Sequence, residues 1–99
     1  GLMRAKAYGQ KECFEAGVTF GNQEGIIPAP EANHAVKGVM DAALDCKEKG
    51  ESKTILFNLC GHGHFDMTAY SDYFENKLAE DVFEEENVNK ALADLPNVA

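Results

Sequence analysis

Basic residues are scarce: nine lysines and arginines stand against 17 acidic residues, for a formal charge of −8 over 99 residues. Nucleic-acid binding needs a basic patch, so the composition argues against it. Long apolar runs are missing too. None approaches the roughly 20 residues that cross a bilayer, so no membrane span is expected. The N-terminus lacks the apolar core and cleavage site of a signal peptide. Cysteines are few, odd in number and far apart, at Cys13, Cys46 and Cys60. That suits free thiols in a reducing cytoplasm better than a disulfide framework. Strands are scarcest of all. One segment is convincing, and residues 2–8 and Gly25-Ile26-Ile27 are weaker candidates.

That segment is the organising stretch. Ile55, Leu56, Phe57 and Leu59 form an apolar run without alternation, which suits a parallel strand covered on both faces. Cys60, Gly61, His62 and Gly63 follow, and two glycines permit a sharp turn and close approach to a ligand. Asp66 is placed to cap a helix with Met67, Tyr70, Phe74 and Leu78 on one stripe. In α/β sheets ligands sit at the carboxyl ends of strands, so residues 60–64 are the default site. A strand buried on both faces needs neighbours that this chain hardly supplies. The expected fold class is therefore α/β: a piece of a larger protein, with about four helices around one main buried strand, or a core completed by oligomerisation.

Elsewhere the periodicity predicts a helix over residues 11–20, with Cys13, Phe14, Gly17 and Val18 on one face and Gly21-Asn22 as its stop. Gly17 costs that helix about 1 kcal/mol relative to alanine, which implies close packing there. Pro28 and Pro30 make the next segment rigid and extended, with Pro30 at the first turn of the following helix. That helix is the clearest in the chain. Ala32, Ala35, Val36, Val39, Met40, Ala43 and Leu44 keep helical spacing, Lys47 and Lys49 suit its negative end, and Gly50 ends it. The acidic run from Glu80 to Glu86 reads as a solvated connector. Asn87 then caps a last helix carrying Val88, Ala91, Leu92 and Leu95, and Pro96 closes it.

Three chemistries compete at the Gly-rich turn. Cys60, His62, His64 and Asp66 alternate, so an extended backbone aims four zinc-ligand types to one side. Against a zinc site stand the glycines, the capping role of Asp66 and the origin of all four from one segment. Cys60 has His62, His64 and a helix N-terminus close by to activate a thiolate nucleophile. The plainer alternative is a small apolar residue closing the strand. Glu24, just before a rigid segment, is either a positioned carboxylate or a surface acid. His34, at the start of the long helix, is a packed or solvent-facing residue.

Two segments carry a family resemblance. Glu24-Gly25-Ile26-Ile27-Pro28-Ala29-Pro30-Glu31, continued by Ala32-Asn33-His34-Ala35, resembles the E-G-I-I-P-A-x-E-x-x-H-A segment of tryptophan synthase β chains. Asn58-Leu59-Cys60-Gly61-His62-Gly63, followed by Asp66, resembles that family's N-L-S-G-x-G turn. Order and separation match, and the wording around His62 and His64 is closer to the β-like branch of archaea and bacteria.

The resemblance implies the carboxyl-terminal part of a pyridoxal-phosphate enzyme of fold type II, a cytoplasmic, usually homodimeric lyase that joins indole to L-serine. It implies that Cys60, at the position of a family serine, contacts the cofactor's pyridine nitrogen, with Gly61 in the same turn and Glu24 near the ring. A neutral partner leaves that nitrogen unprotonated, which suits elimination at Cβ over transamination. A thiol is a poorer donor than the family's hydroxyl. The family's Ser-His-Lys-x-Asn lysine and Gly-rich phosphate loop are not in this chain, so no catalytic residue is assigned and the chain alone is expected to be inactive. The other function class is a small autonomous zinc-binding or protein-interaction domain.

Overall fold

The computed structural model of the chain describes residues 1–78 and 85–93. Helix α1 spans Gln10–Glu24, α2 Ala32–Lys49, α3 Met67–Phe74 and α4 Glu85–Ala93, with one 3-10 turn at Gly63–Phe65. Helix α1 begins where Gly9 interrupts the entry segment, and the Glu12 carboxylate accepts the free Gly9 N–H at 2.7 Å. It does not stop at Gly21-Asn22. It runs one turn further, to Gly25, whose φ of 73° supplies the left-handed cap and whose N–H donates to the Gly21 carbonyl.

Helix α2 ends as its sequence predicts, on a left-handed Gly50 at φ 66°. Pro30 lies just ahead of it, in a turn whose backbone bonds already have helical spacing: Asn33 N–H donates to the carbonyls of Ala29 and Pro30. Helices α1 and α2 pack together and α3 lies against α1. The core is small: Cys13, Phe14 and Ala16 of α1, Pro28 and Ala29 of the connecting loop, Ala32, Asn33 and Val36 of α2, and Tyr70 of α3. Phe14 joins the layers, edge-on to Tyr70 at 5.1 Å and stacked on Tyr73 at 5.7 Å.

The expected central strand does not form. Among the described residues there is no strand, only an isolated antiparallel bridge between Pro28 and His62. Residues 54–59 are irregular and show the alternation of a one-sided strand. Ile55, Phe57 and Leu59 are half-buried, with Phe57 edge-on to Phe20 at 6.1 Å, while Leu56 is 96% exposed. The physical reason is that a strand is defined by a neighbour's hydrogen bonds, and residues 2–8 and 25–27 form no ladder with this segment.

The third helix is shorter than its stripe implied. It stops at Phe74, Asn76 takes a φ of 58°, and Leu78 falls outside it. Tyr70 and Tyr73 turn inward, whereas Met67 and Phe74 are exposed, because Phe14 offers a surface for only one turn. Asp66 occupies the N-cap position without a side-chain cap bond; its carbonyl accepts from Ala69 and Tyr70 instead. Glu85, Glu86 and Asn87 lie inside α4, not in a connector or at a cap. Residues 80–84, Leu95 and Pro96 lie outside the described residues.

Candidate functional site

The two motif segments meet. The loop between α1 and α2 and the Gly-rich turn lie side by side, joined by the Pro28–His62 bridge and a 2.9 Å bond from Gly63 N–H to the Ile27 carbonyl. Gly61 has a φ of 76°, and a Cβ there would stand 3.3 Å from the Ala29 methyl. Gly63 is buried, and a Cβ on it would meet Ile27 Cγ2 and the Pro28 carbonyl oxygen at 2.7 Å and the Tyr70 ring at 2.9 Å. Only glycine lets the turn come so close.

Cys60 sits at the start of this turn with its side chain exposed. Glu24 is also exposed, as the last residue of α1. It borders a shallow apolar recess of about 180 Å³ floored by Phe20, Val36, Val39, Met40 and Phe57. His34 faces solvent.

The extended backbone that a zinc cluster required is interrupted by the 3-10 turn at Gly63–Phe65. His62 Nδ1 accepts from the backbone N–H of His64 at 3.2 Å, and the two rings meet edge to face at 4.7 Å. Among the described residues no group of three metal-binding side chains converges, and no hydrogen bond joins Cys60 to either histidine. The alternation of Cys60, His62, His64 and Asp66 therefore does not translate into one ligand face.

Sequence reasoning missed the polar node behind the turn. Asn33 is 0% exposed; its Nδ2 donates to Tyr70 Oη at 3.1 Å, and Tyr70 Oη donates to the Pro28 carbonyl. Burial, the largest influence, raises the Tyr70 phenol pKa above 10.0, so it stays a donor. Gly17 makes the room: a Cβ there would lie 2.2 Å from Asn33 Oδ1. One signal was available in the sequence, an asparagine on the face of α2 that also carries Ala32 and Val36.

No family model matches the chain. Among curated proteins, tryptophan synthase beta chain 2 of Methanosarcina mazei is 59% identical over 78 residues, which is 79% of this chain and 18% of that protein. Tryptophan synthase beta chain 2 of Aquifex aeolicus is 56% identical over 80 residues, 81% of this chain and 18% of that protein. Tryptophan synthase beta chain of Pyrococcus horikoshii is 49% identical over 96 residues, 97% of this chain and 20% of that protein. The chain thus spans about a fifth of the length of the curated relatives it matches. In sequence, its relationship is to the tryptophan synthase β chains.

Proposed function

We propose that the chain is the carboxyl-terminal part of a pyridoxal-phosphate-dependent lyase of fold type II, one that makes L-tryptophan from indole and L-serine. The observation that carries this reading is the meeting of residues 27–29 with residues 61–63. Two family-like segments more than 30 positions apart share a backbone hydrogen bond and a bridge. A family site assembled from both segments requires that contact.

The residues that would meet one end of the cofactor are Cys60, Gly61 and Glu24. Cys60 offers an exposed thiol at the start of the turn, next to a Gly61 that carries no side chain. Pyridoxal phosphate, when bound, would supply an electron-withdrawing ring. Cys60 would meet the ring nitrogen without delivering a proton to it, with Gly61 beside it in the same turn, and the Glu24 carboxylate would stand near the ring, at the rim of the apolar recess. The lysine and phosphate loop come from the rest of the parent chain, a cytoplasmic homo-oligomer, so the 99 residues alone are inactive.

A chimera tests this. The matched segment of the Methanosarcina mazei β chain is replaced by this chain. The product is expected to hold pyridoxal phosphate and to make tryptophan from indole and serine. Cys60→Ala in the chimera is expected to keep the cofactor but shift its absorption band. A folded chimera that takes up no cofactor would refute the assignment.

A further inference from the structure

We propose that Asn33 and Tyr70 are positioning residues for the Cys60 turn, a clamp that sets where the thiol stands. This rests on the cofactor contact assigned to Cys60 above. The turn itself has little to hold it. Cys60 and His62 are exposed, Gly61 has no side chain, and among the described residues the backbone links across to the loop are the Gly63 N–H to Ile27 bond and the isolated Pro28–His62 bridge. What fixes the loop side of that bond is the relay Asn33 Nδ2–H to Tyr70 Oη–H to the Pro28 carbonyl, one residue beyond Ile27. The relay is directional: the phenol gives its only proton to Pro28 and takes one from the amide, so each partner orients the next.

Three elements converge on it. Asn33 comes from the first turn of α2 and is seated by Gly17 of α1, and Tyr70 comes from α3 with its ring against Gly63. The Tyr70 ring and the Pro28 carbonyl form the wall that excludes any side chain at Gly63. Tyr70 therefore grips both sides of the junction, the loop through its hydroxyl and the turn through its ring edge.

Amide hydrogen exchange on the 99-residue chain, followed residue by residue by NMR, separates the clamp from mere stability. In Tyr70→Phe the ring stays and the hydroxyl goes. Exchange at Gly63 is expected to quicken about tenfold while Val39 and Met40 in mid-α2 stay within about twofold, because local opening is uncoupled from global unfolding. The double variant Asn33→Leu with Tyr70→Phe replaces both buried partners by apolar groups of similar shape. It keeps the test valid if the single change unfolds the chain, and the same pattern is expected. Gly63 exchange that is unchanged, that rises only in step with α2, or that is already unprotected in the parent chain would overturn the proposal. The cofactor is absent from this measurement, so its failure leaves the Cys60 contact standing, and loss of that contact in the chimera leaves the clamp standing.

Discussion

At Tyr70 one hydroxyl satisfies two buried groups, the Pro28 carbonyl and the Asn33 amide. Tyr70→Phe orphans both and is expected to cost about 1–3 kcal/mol, read as a lower urea midpoint. Gly17→Ala is a sharper test. Propensity alone favours alanine by about 1 kcal/mol, yet the new methyl would overlap Asn33, which is bonded and buried and has nowhere to go. The net effect is expected to be destabilising; a raised melting temperature would show that Asn33 is free to move. The pH dependence has a definite sign. Burial lifts the Cys13 thiol above 9.0 and the Tyr70 phenol above 10.0. A raised folded pKa stabilises fully below the unfolded value and is lost as pH rises through the folded one. Stability should therefore fall from pH 9.0 upward, and Cys13→Ala should remove the first part of that fall. Equal slopes in parent and variant would exclude Cys13.

Helices end where one residue can take left-handed backbone without strain, and glycines alone do not reveal which. Gly21 sits in the helix and Gly25 ends it. A side chain at Gly25 has open space around it but a φ of 73°, so Gly25→Ala is expected to destabilise through the backbone, by about 1–2 kcal/mol in thermal unfolding. On α2, Lys37 and Asp41 pair at 3.0 Å one turn apart, and Lys6 of the entry segment reaches the same carboxylate at 3.5 Å. The Lys37 hydrogen bond is the main influence holding the Asp41 carboxyl below its usual 3.8. A lowered folded pKa stabilises above the unfolded value and is lost as pH falls through the folded one. The difference in urea midpoint between the parent and Asp41→Asn should thus be small, present at neutral pH and gone in acid. A difference that persists below the folded pKa would assign it to something other than charge.

For the molecule as a whole, apolar surface is left over. Leu2, Met3, Leu56 and Phe65 are each at least 89% exposed, and the radius of gyration is 16.6 Å, against about 13 Å for a compact chain of this length. Residues 54–59 carry apolar side chains on a backbone that forms no ladder, and unpaired edges pair with other chains. The isolated chain is expected to associate at low micromolar concentration, with Leu56→Lys shifting it toward monomer in sedimentation velocity. A cooperative, concentration-independent monomer would mean that residues 54–59 need no partner.

The sequence alone determined what depends on local periodicity and local chemistry. The α2 helix and its Gly50 stop follow from spacing and from one backbone conformation. The close packing at Gly17 follows from a glycine where a helix prefers alanine. The family motifs at residues 24–35 and 58–66 follow from residue identity. Tertiary structure decided everything that needs a partner from elsewhere in the chain. Residues 54–59 had the composition of a buried strand, but pairing is a property of two segments, and among the described residues none forms a ladder with them. Asp66 had the side chain of a cap, yet only its backbone serves. Asn33 and Tyr70 stand 37 positions apart, and no local pattern announces that an amide, a phenol and a proline carbonyl will share one buried line of hydrogen bonds. Such a relay exists only once α1, α2 and α3 have closed over it and excluded the water that would otherwise take each bond.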